Sequence, residues 1–258
     1  MCRFLCVATK GIVPHQAMSG FKRLARRGRN PPGTGKGHRG GWGVGYYPGG
    51  RLRLVKEFGD PTCSVRYDEV SHMAASNPDA RVLLGHLWSS PAKQLSEHKE
   101  MIAPFQGFDA AGHEWIFVSD SSIGVKRITG EPYVVDPVKE TCPQRLFREL
   151  SARMLPAPGG GPASRDAVIS ALKMVLDHTA QEYEFGHLNL AMSNGTTVYM
   201  ARYVDKEADW NEAHFCRLPR SIVGCSEPLE TIDGKWEPLA DRQVIIFDNG
   251  LNMSKAKL

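Results

Sequence analysis

The chemistry available to the cysteine at position two depends on its neighbour. A small side chain there normally lets Met1 be removed, which leaves Cys2 with a free α-amine. Such an amine has a pKa of roughly 8, far below a lysine's, and can act as a base near neutral pH. A thiol and its own α-amine then form a self-contained nucleophile and base. On position alone an equal reading competes: Cys2 as a small buried hydrophobe on a first strand with Phe4 and Cys6.

Other residues invite chemistry and are read more plainly. His86 stands mid-strand between Leu84 and Trp88, the setting of a hydrogen-bonded structural histidine. Cys6, Cys63, Cys216 and Cys225 are expected to be buried small residues. None of the six cysteines forms a C-x-x-C pair and no histidines have zinc spacing, so neither a metal nor any cofactor is expected. Pro31-Pro32-Gly33-Thr34-Gly35-Lys36 looks like part of a phosphate-binding loop. That loop, however, needs glycine where Asn30 stands and a hydroxyl where Gly37 stands, so a surface loop is expected.

The elements that must carry these residues follow from periodicity. Val13, Ala17, Phe21 and Leu24 predict a helix over 14–27, followed by a Gly/Pro-rich loop from Asn30 to Gly41. Strands are predicted at Trp42–Tyr47, Leu52–Glu57, Val82–Trp88 and Trp115–Val118. Thr141-Cys142-Pro143-Gln144 is a capping box, opening a helix that turns Leu146, Phe147, Leu150 and Met154 inward. Ser164 caps a second helix with Val168, Ile169, Leu172, Val175 and Leu176 on its inner face. Further strands are expected at His187–Met192 and Thr197–Tyr203, joined by a Ser193-Asn194-Gly195 turn, and then at Ile222–Cys225 and Val244–Phe247. Hairpins beside paired helices indicate an α+β layered fold, and no break in composition divides residues 1–258 into more than one domain.

Composition narrows the class. The chain has 41% hydrophobic and 23% charged residues and a net charge of +4, ordinary values for a soluble globular protein. No apolar run approaches the ~18 residues of a membrane span. The basic run from Lys22 to Arg29 reads as a solvated helix end rather than a nucleic-acid surface. Few cysteines and no secretory start imply a reduced, cytoplasmic protein.

Met1-Cys2-Arg3-Phe4-Leu5 resembles the opening of class II glutamine amidotransferases, above all their stand-alone, single-domain group. The resemblance continues in order through Gly33-Thr34-Gly35, the stretch from His38 to Tyr47, and Gly85-His86-Leu87-Trp88. It goes on through Pro104-Phe105, the segment Glu140 to Gln144, Leu188-Asn189-Leu190, Ser226-Glu227-Pro228-Leu229 and Trp236. It implies a four-layer αββα N-terminal-nucleophile hydrolase fold with Cys2 as nucleophile.

Each position matching the family's glutamine pocket is altered. Trp88 stands where the family has the arginine that grips the substrate α-carboxylate. Asp120 and Ser121 replace the Asn-Gly pair of the oxyanion site, and an ionised Asp120 would accept hydrogen bonds instead of donating them. Cys142 replaces the aspartate that holds the substrate α-amine, Gly40 the Asp of an Asp-Gly-Trp-Gly stretch, and Ser119 a His. The resemblance therefore implies a cysteine amidohydrolase acting on a glutamine-like or γ-glutamyl amide. Cys2 is its nucleophile, the backbone N–H near Ser121 its oxyanion donor, and Trp88, His86 and Cys142 line its pocket. The alternative is a catalytically impaired binding or regulatory protein on the same scaffold. The expected partners are a small amide substrate and a separate ammonia-accepting or regulatory protein, with neither nucleic acid nor membrane.

Overall fold

The computed structural model describes residues 2–33, 36–89, 99–134, 140–205 and 212–258. In chain order the elements are β1 (Cys2–Thr9), α1 (His15–Arg27), β2 (Gly41–Tyr46), β3 (Arg53–Phe58), α2 (Val65–Ser76), β4 (Val82–Trp88), β5 (Phe105–Phe108) and β6 (Glu114–Lys126). Then follow α3 (Cys142–Ser151), α4 (Arg165–Glu182), β7 (Tyr183–Ser193), β8 (Thr197–Arg202), β9 (His214–Arg217), β10 (Ser221–Cys225), β11 (Trp236–Pro238), β12 (Gln243–Asp248) and β13 (Met253–Lys257). The strands form two antiparallel sheets, β11-β9-β10-β1-β4-β2-β3 and β13-β12-β8-β7-β6-β5. Helices α1 and α2 cover the outer face of the first sheet, and α3 and α4 that of the second, which makes the αββα sandwich. Among the described residues no helix is long and apolar enough to cross a membrane.

Alternation along β1 shows how the layers form. Leu5 and Val7 join Phe21, Leu24, Trp42 and Tyr67 in the core beneath α1 and α2. Phe4, Cys6 and Ala8 join the core between the sheets, where they share space with Ile116 and Met200. Successive strand residues face opposite sides, so Cys2 lies on the inter-sheet face. The same rule gives β6 two characters. Phe117 faces outward and stacks on Phe147 of α3 at 5.0 Å, whereas Ile116, Val118 and Asp120 face inward.

β2 reads Gly41-Trp42-Gly43-Val44-Gly45-Tyr46. Its large residues face the helices, and its glycines line the inter-sheet face opposite Trp88, His86 and Leu84 of β4. The resulting trench holds residues 102–104. A methyl group on Gly43 would lie 2.1 Å from the Ala103 carbonyl oxygen, while on Gly41 its nearest neighbour would be the Ile102 Cδ1 at 3.0 Å.

The helix predicted over 14–27 forms at His15–Arg27, and the capping box at Thr141 and the Ser164 cap are both made. The strand expected at Trp115–Val118 is longer and runs from Glu114 to Lys126. α2 has no counterpart among the predicted elements. Cys63, expected to be buried, is exposed, because it ends a short 3-10 turn on the surface ahead of α2. Ile169, expected on the inner face of α4, is only half-buried. In the basic run, Lys22, Arg26, Arg27 and Arg29 pair with Asp68, Asp60, Glu230 and Glu227 respectively. Thr34 and Gly35 of the glycine-rich loop lie outside the described residues. The loop's flanks fold back on the C-terminal end of α1, with Gly37 N donating to Gly28 O and His38 N to Ala25 O. Carbonyl groups at a helix C-terminus disfavour phosphate, which helix N-termini attract.

The trench sets a packing prediction. Gly43→Ala drives a methyl group into main-chain atoms that cannot swing aside and is expected to cost about 3 kcal/mol, the upper end of overpacking effects. Gly41→Ala meets the flexible Ile102 side-chain end at 3.0 Å and the Glu57 carbonyl oxygen only at 3.2 Å, and should cost clearly less. Urea unfolding of both variants checks the ranking.

Candidate active site

β1 is bracketed by β4 and β10, and its first residue pairs with Trp88 at the end of β4. The opposite sheet brings β6 across from it. At this point Cys2 N–H donates to Asp120 Oδ1 at 3.1 Å. Asp120 is 2% exposed and is held from two more directions. Arg3 Nη1 lies 3.0 Å from its Oδ2, and His187 Nε2 lies 3.3 Å from its Oδ1.

Arg3 is fully buried in a strand of mostly apolar residues, which requires that its charge be matched. Its Nε bonds Glu227 Oε1 at 2.5 Å, its Nη1 also donates to the Cys2 carbonyl oxygen at 2.8 Å, and its Nη2 donates to the Arg29 carbonyl oxygen. Glu227 in turn accepts from the Arg29 main-chain N–H at 2.7 Å and from its Nε at 3.2 Å. Arg29 Nη2 continues the network to Glu212 at 3.1 Å. The cluster therefore runs from the amide of the second residue to the protein surface.

These contacts set the protonation states. Burial alone would raise the Asp120 pKa, but His187, Arg3 and the positive amino terminus outweigh it and hold the carboxyl well below the usual range. Asp120 is thus a carboxylate at neutral pH. Burial pushes the Cys2 thiol up to about 12; the Asp120 charge adds to the rise, while the amino terminus, Arg3 and the Ser89 backbone N–H oppose it.

His86 lies on the same inter-sheet face, two residues before Trp88 and paired with Phe4. It is 4% exposed, and neither ring nitrogen has a hydrogen-bond partner among the described residues. The expected hydrogen-bonded structural histidine is therefore not what forms. Burial lowers its pKa to about 3, with Asp120 opposing and Lys56, the amino terminus and His38 adding to the fall.

The remaining expected residues spread out. Trp88 is half-buried beside Cys2, its ring 6.1 Å from that of Phe58. Ser121 is next to Asp120 in β6, so alternation turns its side chain to the opposite face, and only its main chain borders the site. Cys142 begins α3, with its sulfur 4.0 Å from the Ile123 carbonyl oxygen. Thr141 and Gln144 are occupied in the capping box. A separate open cavity of about 650 Å³ lies between β3, β5 and α3, with Lys56, Phe105 and Phe147 in its wall.

Sequence reading missed Arg3, His187 and Glu227. The usable signals were a cation inside an apolar strand and the polar His187 and Asn189 alternating with Leu188 and Leu190.

The chain's sequence matches the family described as glutamine amidotransferases class-II over residues 1–217. No curated protein matches it by sequence. Its structure is similar to a glutamine phosphoribosylpyrophosphate amidotransferase from B. subtilis, at 12% identity and a TM-score of 0.64, over 99% of this chain and 49% of that one. The chain thus spans about half the length of that protein. It is also similar to a glutamine aminotransferase class-II domain protein from Silicibacter pomeroyi, at 15% identity and a TM-score of 0.59, over 100% and 99% of the two chains. A predicted glutamine amidotransferase from Pseudomonas aeruginosa gives 16%, 0.58, 96% and 98% for the same quantities. At these identities the likeness is one of fold.

Both the charge cluster and the buried His86 should register in stability. Asp120→Asn keeps the shape but leaves the buried Arg3 cation to Glu227 alone; removing one partner of a buried pair typically costs about 3–5 kcal/mol. Denaturant unfolding at neutral pH is expected to show a loss of that order, and an unchanged midpoint would mean that the pair carries no stability. The second concerns acid. Between its unfolded pKa near 6.5 and its folded pKa of about 3, His86 binds a proton only in the unfolded state, so stability falls as pH is lowered through that window. His86→Phe should flatten the stability–pH curve there, leaving the loss below about pH 4 that comes from Asp120 and other carboxylates.

Proposed function

Because this chain belongs to the class II glutamine amidotransferases, we propose that Cys2, freed by removal of Met1, is the nucleophile of an amidohydrolase that cleaves a glutamine-like or γ-glutamyl amide. The observation that carries the reading is the Cys2 main-chain nitrogen seated 3.1 Å from Asp120 Oδ1. In the processed chain that nitrogen is the α-amine. An adjacent carboxylate favours its ammonium form, and an ammonium on the same residue lowers the thiol pKa. Arg3 opposes the first effect and supports the second, while burial and the Asp120 charge keep the resting thiol protonated, so the thiolate forms as the α-amine accepts the thiol proton.

The reaction then runs without an outside base. The thiolate attacks the amide carbon, a C–S bond forms and the carbonyl electron pair moves to oxygen. On collapse the C–N bond breaks and the leaving nitrogen takes the ammonium proton. The neutral α-amine next removes a proton from water, which attacks the thioester; the C–S bond breaks and the acid departs. The backbone N–H near Ser121 is the main-chain donor available to the oxyanion.

Free glutamine is a poor fit for this pocket. Trp88 offers one indole N–H and no charge where a carboxylate would need a cation. Arg3 cannot replace that cation, since Asp120, Glu227 and two main-chain carbonyl oxygens already occupy its donors. Asp120 accepts hydrogen bonds where the family donates one, and loss of one oxyanion donor usually costs ~10²–10³ in rate.

The test has two arms. In a Cys63→Ser background, which removes the exposed competitor, a thiol-directed electrophile should label Cys2 before Cys6, Cys142, Cys216 and Cys225. Ammonia release from free glutamine should be at least ~10²-fold slower than in a family member with an intact pocket. Family-level glutaminase activity would overturn the reading of the pocket. An inert Cys2 in processed protein would favour the binding or regulatory alternative.

A further inference from the structure

The position of the family's oxyanion donor holds an acceptor, and a second buried group in the site has no hydrogen-bond partner among the described residues. Asp120 presents a carboxylate toward Cys2. His86 presents an imidazole whose two nitrogens are both unbonded among the described residues. Leaving a buried polar group unpaired costs stability, so folding alone gives no reason to place one there. We propose that His86 donates the hydrogen bond that holds the carbonyl oxygen of an acyl group on Cys2, in place of the side-chain amide lost at Asp120. The proposal rests on Cys2 being the nucleophile.

Register puts the imidazole within range. Cys2 pairs with Trp88, and His86 is two residues back on the same face, a diagonal cross-strand neighbour at ~7–8 Å between backbone positions. The length of the imidazole closes part of that distance. On the other side of His86 stands Gly43, where the Ala103 main chain takes the place of a side chain. At neutral pH the ring is uncharged, so one nitrogen carries a proton to donate and the other stays an acceptor. The same low basicity removes it as a general base near neutral pH. A neutral imidazole can polarise a carbonyl without first being protonated.

Two reagents separate this role from others. p-Nitrophenyl acetate acylates a thiolate: sulfur attacks the acetyl carbon, the carbonyl pair moves to oxygen, and collapse expels p-nitrophenolate. Iodoacetamide alkylates it: sulfur attacks the methylene carbon and iodide leaves, with no oxyanion formed. Second-order rate constants at Cys2 are measured on processed protein in the Cys63→Ser background, with Cys2→Ser as the blank. His86→Phe should slow acylation by ~10²-fold, as for other lost oxyanion donors, and leave alkylation unchanged. His86→Gln, which restores a neutral N–H donor, should recover part of the acylation rate. His86→Phe removes only an unpaired polar group, and a thermal melt reports whether it folds; if it does not, His86→Gln against His86→Met carries the same comparison. Equal slowing of both reagents would overturn the proposal, because His86 would then act on the thiol itself. Unchanged acylation would overturn it too. A wild type that reacts with neither reagent would overturn both this proposal and the assignment of Cys2 on which it rests.

Discussion

Asp120 carries a negative charge where water hardly reaches, and three groups from two sheets converge to stabilise it. The Cys2 N–H comes from the first residue of β1, the Arg3 guanidinium from the second, and His187 from the neighbouring strand of the second sheet. A charge in such surroundings is tolerated only when its partners are well placed, and removing any one of them leaves another uncompensated. The amino-terminal strand is therefore held across the inter-sheet space by ionic contacts as well as by burial of Phe4, Cys6 and Ala8. Glu227 and Arg29 extend the same restraint to the loop after α1 and to the segment after β10. Through Arg3, the position of Cys2 depends on residues more than two hundred positions away in the chain.

The glycine face of β2 supplies the complementary condition. With no side chains at Gly41, Gly43 and Gly45, residues 102–104 can lie against the sheet beside β4. That leaves His86 and Trp88 with β1 on one side and main chain on the other. The site is thus walled by backbone and aromatic surface, with its charges gathered at Asp120.

Most of the layered fold was legible because its signals are local. The helix over 14–27, the capping box at Thr141, the Ser164 cap and the Asn194-Gly195 turn each announce themselves within a few residues. α2 was not legible, because the residues it buries include Ser71 and Ala74 while Val65 is exposed, which blurs the helical period. β6 was cut short at Val118 because Ser119-Asp120-Ser121-Ser122 looks like a turn; it continues as a strand because Asp120 finds buried partners in both sheets. The same long-range pairing hid the site's real chemistry. Asp120 could be read as a substituted family position, but its grip on the Cys2 nitrogen depends on Arg3 and His187, which only the fold brings together. His86 was misread for a related reason, since sequence cannot show whether a buried ring has partners.

Once Met1 is removed, the group that Asp120 holds is the α-amine of Cys2. The most direct measurement is the pKa of that amine, followed by nuclear magnetic resonance on protein carrying 15N-labelled cysteine, with intact mass first establishing that Met1 has been removed. The methionine should be gone and the amine should titrate above the ordinary value of roughly 8, because the Asp120 carboxylate favours its ammonium form. A retained Met1 in protein from its natural host, or an amine titrating at or below the ordinary value, would contradict that role for Asp120.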